Sequence, residues 1–500
     1  MRALVFLSML AACGDGNYLV VTVTARPTVH DVATLEVTQS NGGTSRTDSL
    51  ALGDHTLPAT FSISTDGRSG DLALAINGRD SSNAVVALGA VTATTTDSEA
   101  TLQLDPADFV VNTDYAMDEF LTTDFETVGH QLAATTDGKF TAVFRNTCTD
   151  TCNVFARTFG SDGLPVRTAA AAGTNQYTIS SATTKDLAFP AIASQSAIGT
   201  ASIAAWDFSD TVGTGVGVAC RGIDATGALA AGQRTISTDP ADTVSVAPLP
   251  TGNFAVTWQI YTPASQIHTI ITKPDCTTLG TTPIAVSQIA ATTGPFRSTV
   301  AANGTTVLWA WIADDTVHVR AGTATGTFTL PESTVTPTPT GMQATAVRVA
   351  PMGTGFAIAI RYISKTTGMP GQLALARTTT TGLIMGMPLV ITSETGSDFT
   401  NGRRGFGIAT RGDGQTLIVW SQCDDGSAGS CDGRLDVYGS LVAETGAPGT
   451  PFIIPTTTVG SQTDPSVVAL QDAFAVAWTD DSKASVDTDG TAVRARVIYP

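Results

Sequence analysis

The pentad Phe254-Ala255-Val256-Thr257-Trp258 (FAVTW) recurs almost unchanged as Phe474-Ala475-Val476-Ala477-Trp478 (FAVAW). Five apolar or small residues ending in a large aromatic read as a strand buried on both faces. Further copies lie between and before these two: FTAVF (140–144), SIAAW (202–206), TVLWAW (306–311), FAIAI (356–360) and TLIVW (416–420). The copies end at Phe144, Trp206, Trp258, Trp311, Ile360, Trp420 and Trp478, a period of roughly fifty to sixty residues that marks a repeat architecture.

Each pentad sits in a longer frame. An apolar strand precedes it, as in SVAPL (245–249), STVAA (298–302), AVRVA (346–350), FGIAT (406–410) and SVVAL (466–470), followed by a Gly/Asp turn. After the pentad come a variable loop and a third strand that runs into a second turn, as in VFARTFGSDG (154–163), VACRGIDATG (218–227) and HVRAGTATG (318–326). A weaker fourth strand, such as PFIIP (451–455), closes the unit. Four strands per repeat in a closed ring describe a seven-bladed β-propeller over residues 113–500. The repeated aromatics are then packing between sheets. Arg157, Arg221, Arg320, Arg377 and Arg496 recur on the third strand, where a repeated charge reads as a salt bridge or loop anchor of the scaffold. The last repeat lacks its own fourth strand, and the layout of residues 118–140 matches that of 449–474. The segment near 119–123 is therefore expected to complete the last blade and close the ring. The whole frame resembles the repeats of bacterial secreted seven-bladed propellers, a resemblance that implies a fold and no particular activity.

Residues 18–112 differ. Short alternating runs such as LVVTVTA (19–25), ATLEVTQ (33–39) and DLALAI (71–76), separated by Gly/Asn/Asp/Ser turns, predict an immunoglobulin-like β-sandwich. The chain is thus read as all-β, a sandwich followed by a propeller.

Ahead of both, MRALVFLSMLAAC carries a basic start at Arg2, an apolar run from Ala3 to Leu10 and small residues before Cys13. This is the layout of an export signal. Leu10-Ala11-Ala12-Cys13 resembles the lipobox of bacterial lipoproteins, which implies cleavage after residue 12, diacylation of Cys13 and residues 13–17 as a tether to the cell envelope, in the outer membrane or at the cell surface. Lipidation of Cys13 leaves an even set of cysteines. Cys148 and Cys152 bracket one short loop and Cys423 and Cys431 another, so that Cys220 and Cys276 remain for each other. The five histidines are scattered singly, which speaks against zinc held by thiolates.

A formal net charge of −18, from 26 basic and 44 acidic residues, repels nucleic acid and leaves no basic stripe to track phosphates. No G-x-S-x-G elbow, P-loop or HExxH occurs, and the nearest string to a sialidase box, STDGRSG (64–70), lies outside the repeats. Two acidic loops stand out. One offers Asp480, Asp487 and Asp489 before Gly490, the other Asp424, Asp425 and Asp432 between two cysteines. Closely spaced carboxylates on a bent backbone are calcium chemistry, although neither loop has EF-hand spacing. The reading is a lipid-anchored envelope protein whose propeller binds a protein or glycan partner through variable loops. The alternative is an exported hydrolase that acts on glycans with loop carboxylates. The oligomeric state is not legible.

Overall fold

A computed structural model describes residues 17–113, 118–121, 130–146, 152–171, 173–181, 186–195, 201–209, 216–261, 265–288, 297–366, 371–394, 405–423, 435–483 and 490–500. The chain forms two compact units, one built mainly on residues up to Asp108 and the other from Phe109 onward.

The first unit holds strands β1 (Tyr18–Ala25), β2 (Thr34–Asn41), β3 (Thr44–Ala51), β4 (Ala59–Ser64), β5 (Asp71–Arg79), β6 (Val85–Thr94) and β7 (Glu99–Pro106). Strict alternation puts Leu19, Val21, Val23, Leu72, Leu74, Ile76, Leu102 and Leu104 into one core, while their neighbours in sequence face outward. The expected immunoglobulin-like pair of sheets is not what the pairing shows. All seven strands belong to one curled sheet in the order β3-β2-β5-β6-β7-β1-β4. The reason lies in β7, whose Glu99–Leu104 stretch pairs parallel with β1 and whose Asp105 and Pro106 pair with β6. Gly89 permits that junction, since a Cβ there would lie 2.5 Å from the Gln103 carbonyl oxygen.

The second unit is a ring of seven antiparallel sheets, six of four strands and the first of five. In the third blade the strands are Ala241–Pro248, Phe254–Ile260, Gln266–Thr272 and Ile284–Ala285. The pentad strand Phe254–Ile260 is buried at every position because neighbouring blades cover both its faces. Trp206, Trp258, Trp311 and Trp478 are all 0% exposed, and Trp258 joins a core drawn from the second and third blades. The aromatics are therefore inter-blade packing, as the repeat implied.

Three of the third-strand arginines anchor loops. Arg157 Nη1 donates to the Val111 carbonyl (2.8 Å), Arg221 Nη1 to Ile179 (2.8 Å) and Arg320 Nη1 to Val286 (2.7 Å). Each acceptor directly follows the outer strand of the preceding blade. One guanidinium thus staples one blade to the next through an otherwise orphaned carbonyl. The D-x-x-G turn after Arg221 is held by Asp224, whose Oδ1 accepts from the Thr226 and Ala228 amides at 2.8 and 2.9 Å. Gly227 there adopts φ +74°, a conformation that costs an L side chain energy.

Ring closure differs from the expectation. The fourth strand of the last blade is β8 (Phe109–Val110), which pairs with Ala495 and Arg494. It precedes the boundary at 113 read from the sequence. Residues 119 and 120 pair with Asn146 and Arg145 of the first blade, while the Glu119 amide also donates to the Thr491 carbonyl of the last blade (3.0 Å); residues 122 and 123 lie outside the described residues. The inner strand there is only Leu132–Ala134, so the upper part of its partner is left for Glu119–Phe120 to cover.

Candidate functional site

The inner strands of the seven blades surround an axial channel of about 230 Å³. Its wall is aliphatic, with Ile192, Val246, Val300, Val349, Ile408 and Val467 contributed by six successive blades. Those aliphatic side chains offer no hydrogen bonds to a polar ligand; the polar side chains in the lining are His130, Ser194 and Thr410.

The character changes at the end where inner strands begin and pentad strands finish, the end that carries the variable loops. Four inner strands lose register there, between Ala188 and Ala191, Asp242 and Ser245, Ala344 and Ala346, and Thr463 and Ser466. Thr243 (φ 54°), Asp464 (φ 54°) and Arg297 (φ 27°) take left-handed backbone at the same level. Bulges of this kind re-aim side chains at the rim of a barrel or ring, and here they gather polar groups over an apolar shaft.

Three arginines meet at the bulge of the fifth blade. Arg297 Nη1 donates to the Thr345 carbonyl, and Arg361 Nε donates to Thr345 Oγ1 (3.1 Å). Arg348 stands three residues further along the same strand; its Nη1 donates to the Val347 carbonyl (3.0 Å) and its guanidinium lies 5.0 Å from the Phe406 ring centroid. All three are buried, Arg348 at 5% exposure. Burial, then Arg361 and Arg297, pull Arg348 down to a pKa of about 9, against the opposing effect of Asp464. It remains a cation at neutral pH. The Asp464 carboxylate is held by the Gly405 amide (3.0 Å).

His130 lines the channel directly below. Burial first, and Arg348 second, lower its pKa to about 4, while a hydrogen bond to the Val349 backbone works the other way. The imidazole is neutral at pH 7 and reaches from the first blade to the fifth, across the shaft. Thr243, Ser298 and Thr299 bring buried hydroxyls, without hydrogen-bond partners among the described residues, to the same level. Guanidinium and hydroxyl groups thus lie buried at the strand bulges, while His130 lines the channel itself.

The residues singled out in the sequence have different places. Cys220 and Cys276 form a disulfide (Cα–Cα 5.9 Å) between the third strand of the second blade and a turn of the third. Cys152 and Cys423 are disulfide-bonded; Cys148 and Cys431, the partners expected for them, lie outside the described residues, as do Cys13, Asp424, Asp425, Asp432, Asp487 and Asp489. Asp480 is 2% exposed, and its carboxylate accepts from Arg494 Nε (2.9 Å), Gln462 Nε2 (3.0 Å) and Ser482 Oγ. Among the described residues no group of three or more His, Cys, Asp or Glu side chains is placed to hold a metal ion. Sequence reasoning passed over the arginine cluster. Its signal was a lone charge inside the apolar strand AVRVA, with Arg361 directly after FAIAI.

No protein-family model and no curated protein matches the chain. Solved structures do. A protein of unknown function from Dyadobacter fermentans DSM 18053 aligns with 79% of this chain and 98% of its own at 9% identity and a TM-score of 0.45. An ulvan lyase of polysaccharide lyase family PL25 covers 79% and 94% at 8% identity and 0.44. The NanB sialidase of Streptococcus pneumoniae covers 94% and 89% at 9% identity and 0.42. At such identities and scores the likeness is one of fold alone.

Proposed function

We propose that this chain is an exported propeller that binds a glycan at the loop-end mouth of its channel. The observation that carries this reading is the polar set of His130, Ser194 and Thr410 within an otherwise aliphatic channel, together with the strand bulges at the loop end of four inner strands. A sugar needs this mixture, with directed donors and acceptors for its hydroxyls and few groups to spare. Export is supported by the Cys220–Cys276 disulfide, a bond that persists in oxidising compartments. The test is calorimetric titration with a panel of neutral and acidic oligosaccharides. Saturable binding of at least one supports the reading, and no binding across the panel overturns it.

Hydrolysis is a second reading, favoured by Asp464, a carboxylate fixed by a backbone amide at the mouth and able to serve as one of the two that glycoside cleavage requires. Reducing ends released by the wild type and lost in Asp464→Asn would establish it; binding without release leaves a lectin. Lipid anchoring through Cys13 is likewise a proposal. Cys13→Ser should move the protein from the detergent phase to the aqueous phase, and unchanged partitioning would refute the anchor.

A further inference from the structure

We propose that Tyr261 is a stacking platform for a neutral pyranose, a subsite at the loop end of the third blade where a further ring of the same oligosaccharide is held. The inference rests on the glycan reading above and names the class of sugar. Tyr261 directly follows the pentad strand Phe254–Ile260 and is 45% exposed. Among the described residues it is the one exposed aromatic ring of the second unit. The ring is tethered rather than free to swing, because its hydroxyl donates to Asp242 Oδ2. Asp242 is set in turn by the bulge of its own strand. Its Oδ1 accepts from the Thr243 amide (2.8 Å), and Thr243 is the left-handed residue at the register shift between Asp242 and Ser245. The register places Asp242 opposite Gln259, two residues before Tyr261, so phenol and carboxylate are diagonal neighbours on one face of the sheet. The bond draws the ring from the second strand toward the inner strand, at the rim of the mouth.

The chemistry of such a ring fits a sugar face. The face of an aromatic ring is the negative part of its quadrupole, and the C–H bonds on one face of a pyranose form a flat apolar patch of slight positive charge. Laying one on the other takes apolar surface on both sides out of water. A phenol that donates to a carboxylate gains electron density in its ring, which strengthens the attraction. A ring already held in one orientation also loses less freedom when the ligand arrives. The same carboxylate selects the class. Asp242 stands at the edge of the platform, and the formal charge of −18 on the chain adds to its field, so a uronate or sulfated ring is repelled where a neutral ring is not.

The experiment is calorimetry on the full chain at pH 7 with cellotriose and β-1,4-mannotriose, each beside its C6-oxidised uronate form, using wild type, Tyr261→Leu, Tyr261→Phe and Asp242→Asn. A neutral trisaccharide is expected to bind, and Tyr261→Leu to weaken it about fivefold. Tyr261→Phe, which keeps the ring and loses the tether, should lose less. The uronate forms should bind more weakly than their neutral parents, and Asp242→Asn should narrow that gap. Saturation-transfer NMR on the wild type should mark the C–H protons of one sugar face, a signature that a merely structural tyrosine would not give. Neutral binding that Tyr261→Leu leaves unchanged overturns the platform while the glycan reading stands. Uronates bound as tightly as their neutral parents overturn the class of sugar. No binding in any of the four arms overturns the subsite, and the wider panel then decides the glycan reading separately. If Tyr261→Leu fails to fold, the saturation-transfer pattern on the wild type carries the test, and even saturation over the whole sugar overturns stacking.

Discussion

His130 ties the site to stability through its proton. Its folded pKa of about 4 lies below the usual value of 6.5, so between those values the unfolded chain binds a proton that the folded chain refuses. Stability must then fall as pH drops from about 6.5 to about 4, by up to about 3 kcal/mol for a shift of this size. Burial in the channel wall is the main cause and the Arg348 guanidinium the second, with a hydrogen bond to the Val349 backbone opposing them. His130→Gln should flatten the slope of urea-derived stability over that window. A slope unchanged in the variant would assign the titration elsewhere. Asp480 makes the opposite case of a charge that is fully paired. Its ion pair with Arg494 is 2% and 4% exposed on the two side chains, and Asp480→Ala should cost about 3–5 kcal/mol because it strands the guanidinium. A loss below 1 kcal/mol in denaturant titration would contradict that. The contrast between these residues shows what the sequence conveyed. Asp480 was conspicuous in an acidic loop and turns out to be bound to its own blade. Arg348 was one letter in AVRVA, and only the bulge, which no spacing announces, brings Arg297 and Arg361 to it.

Among the elements, the second strand of each blade was the most legible, since burial on both faces writes a continuous apolar run that survives in all seven copies. The fourth strands were the least. In the first, third, fourth, sixth and seventh blades they are two residues long, too short for any period to register. For this reason the layout near residue 119 suggests the closing strand, whereas β8 supplies it. The closure can be read amide by amide. The Val111 amide donates to the Val493 carbonyl at 2.7 Å, and Val111 is 0% exposed. Its hydrogen exchange should proceed only through global unfolding, with a free energy equal to that from denaturant titration. Exchange at the rate of an open loop would show that the ring closes some other way.

At the scale of the molecule, the repeat period gave the blade count, because a ring of like sheets leaves a like trace in each. The order of the first unit was not available in the same way. Whether β7 serves one sheet or joins β1 to β6 depends on contacts between strands far apart in sequence, and alternation is the same in both cases. The Cys220–Cys276 bond adds a link between blades, 56 residues apart. The chain-entropy account gives about 4 kcal/mol for a loop of that length. Cys220→Ala/Cys276→Ala should therefore unfold at markedly lower urea, and an unchanged midpoint would show that inter-blade packing alone sets the stability. The central claim concerns the mouth of the channel, and it is tested most directly by a crystal structure of the chain with an oligosaccharide. The account predicts electron density for a sugar at the loop-end mouth of the channel, in contact with His130. A ligand seated elsewhere on the ring would contradict it.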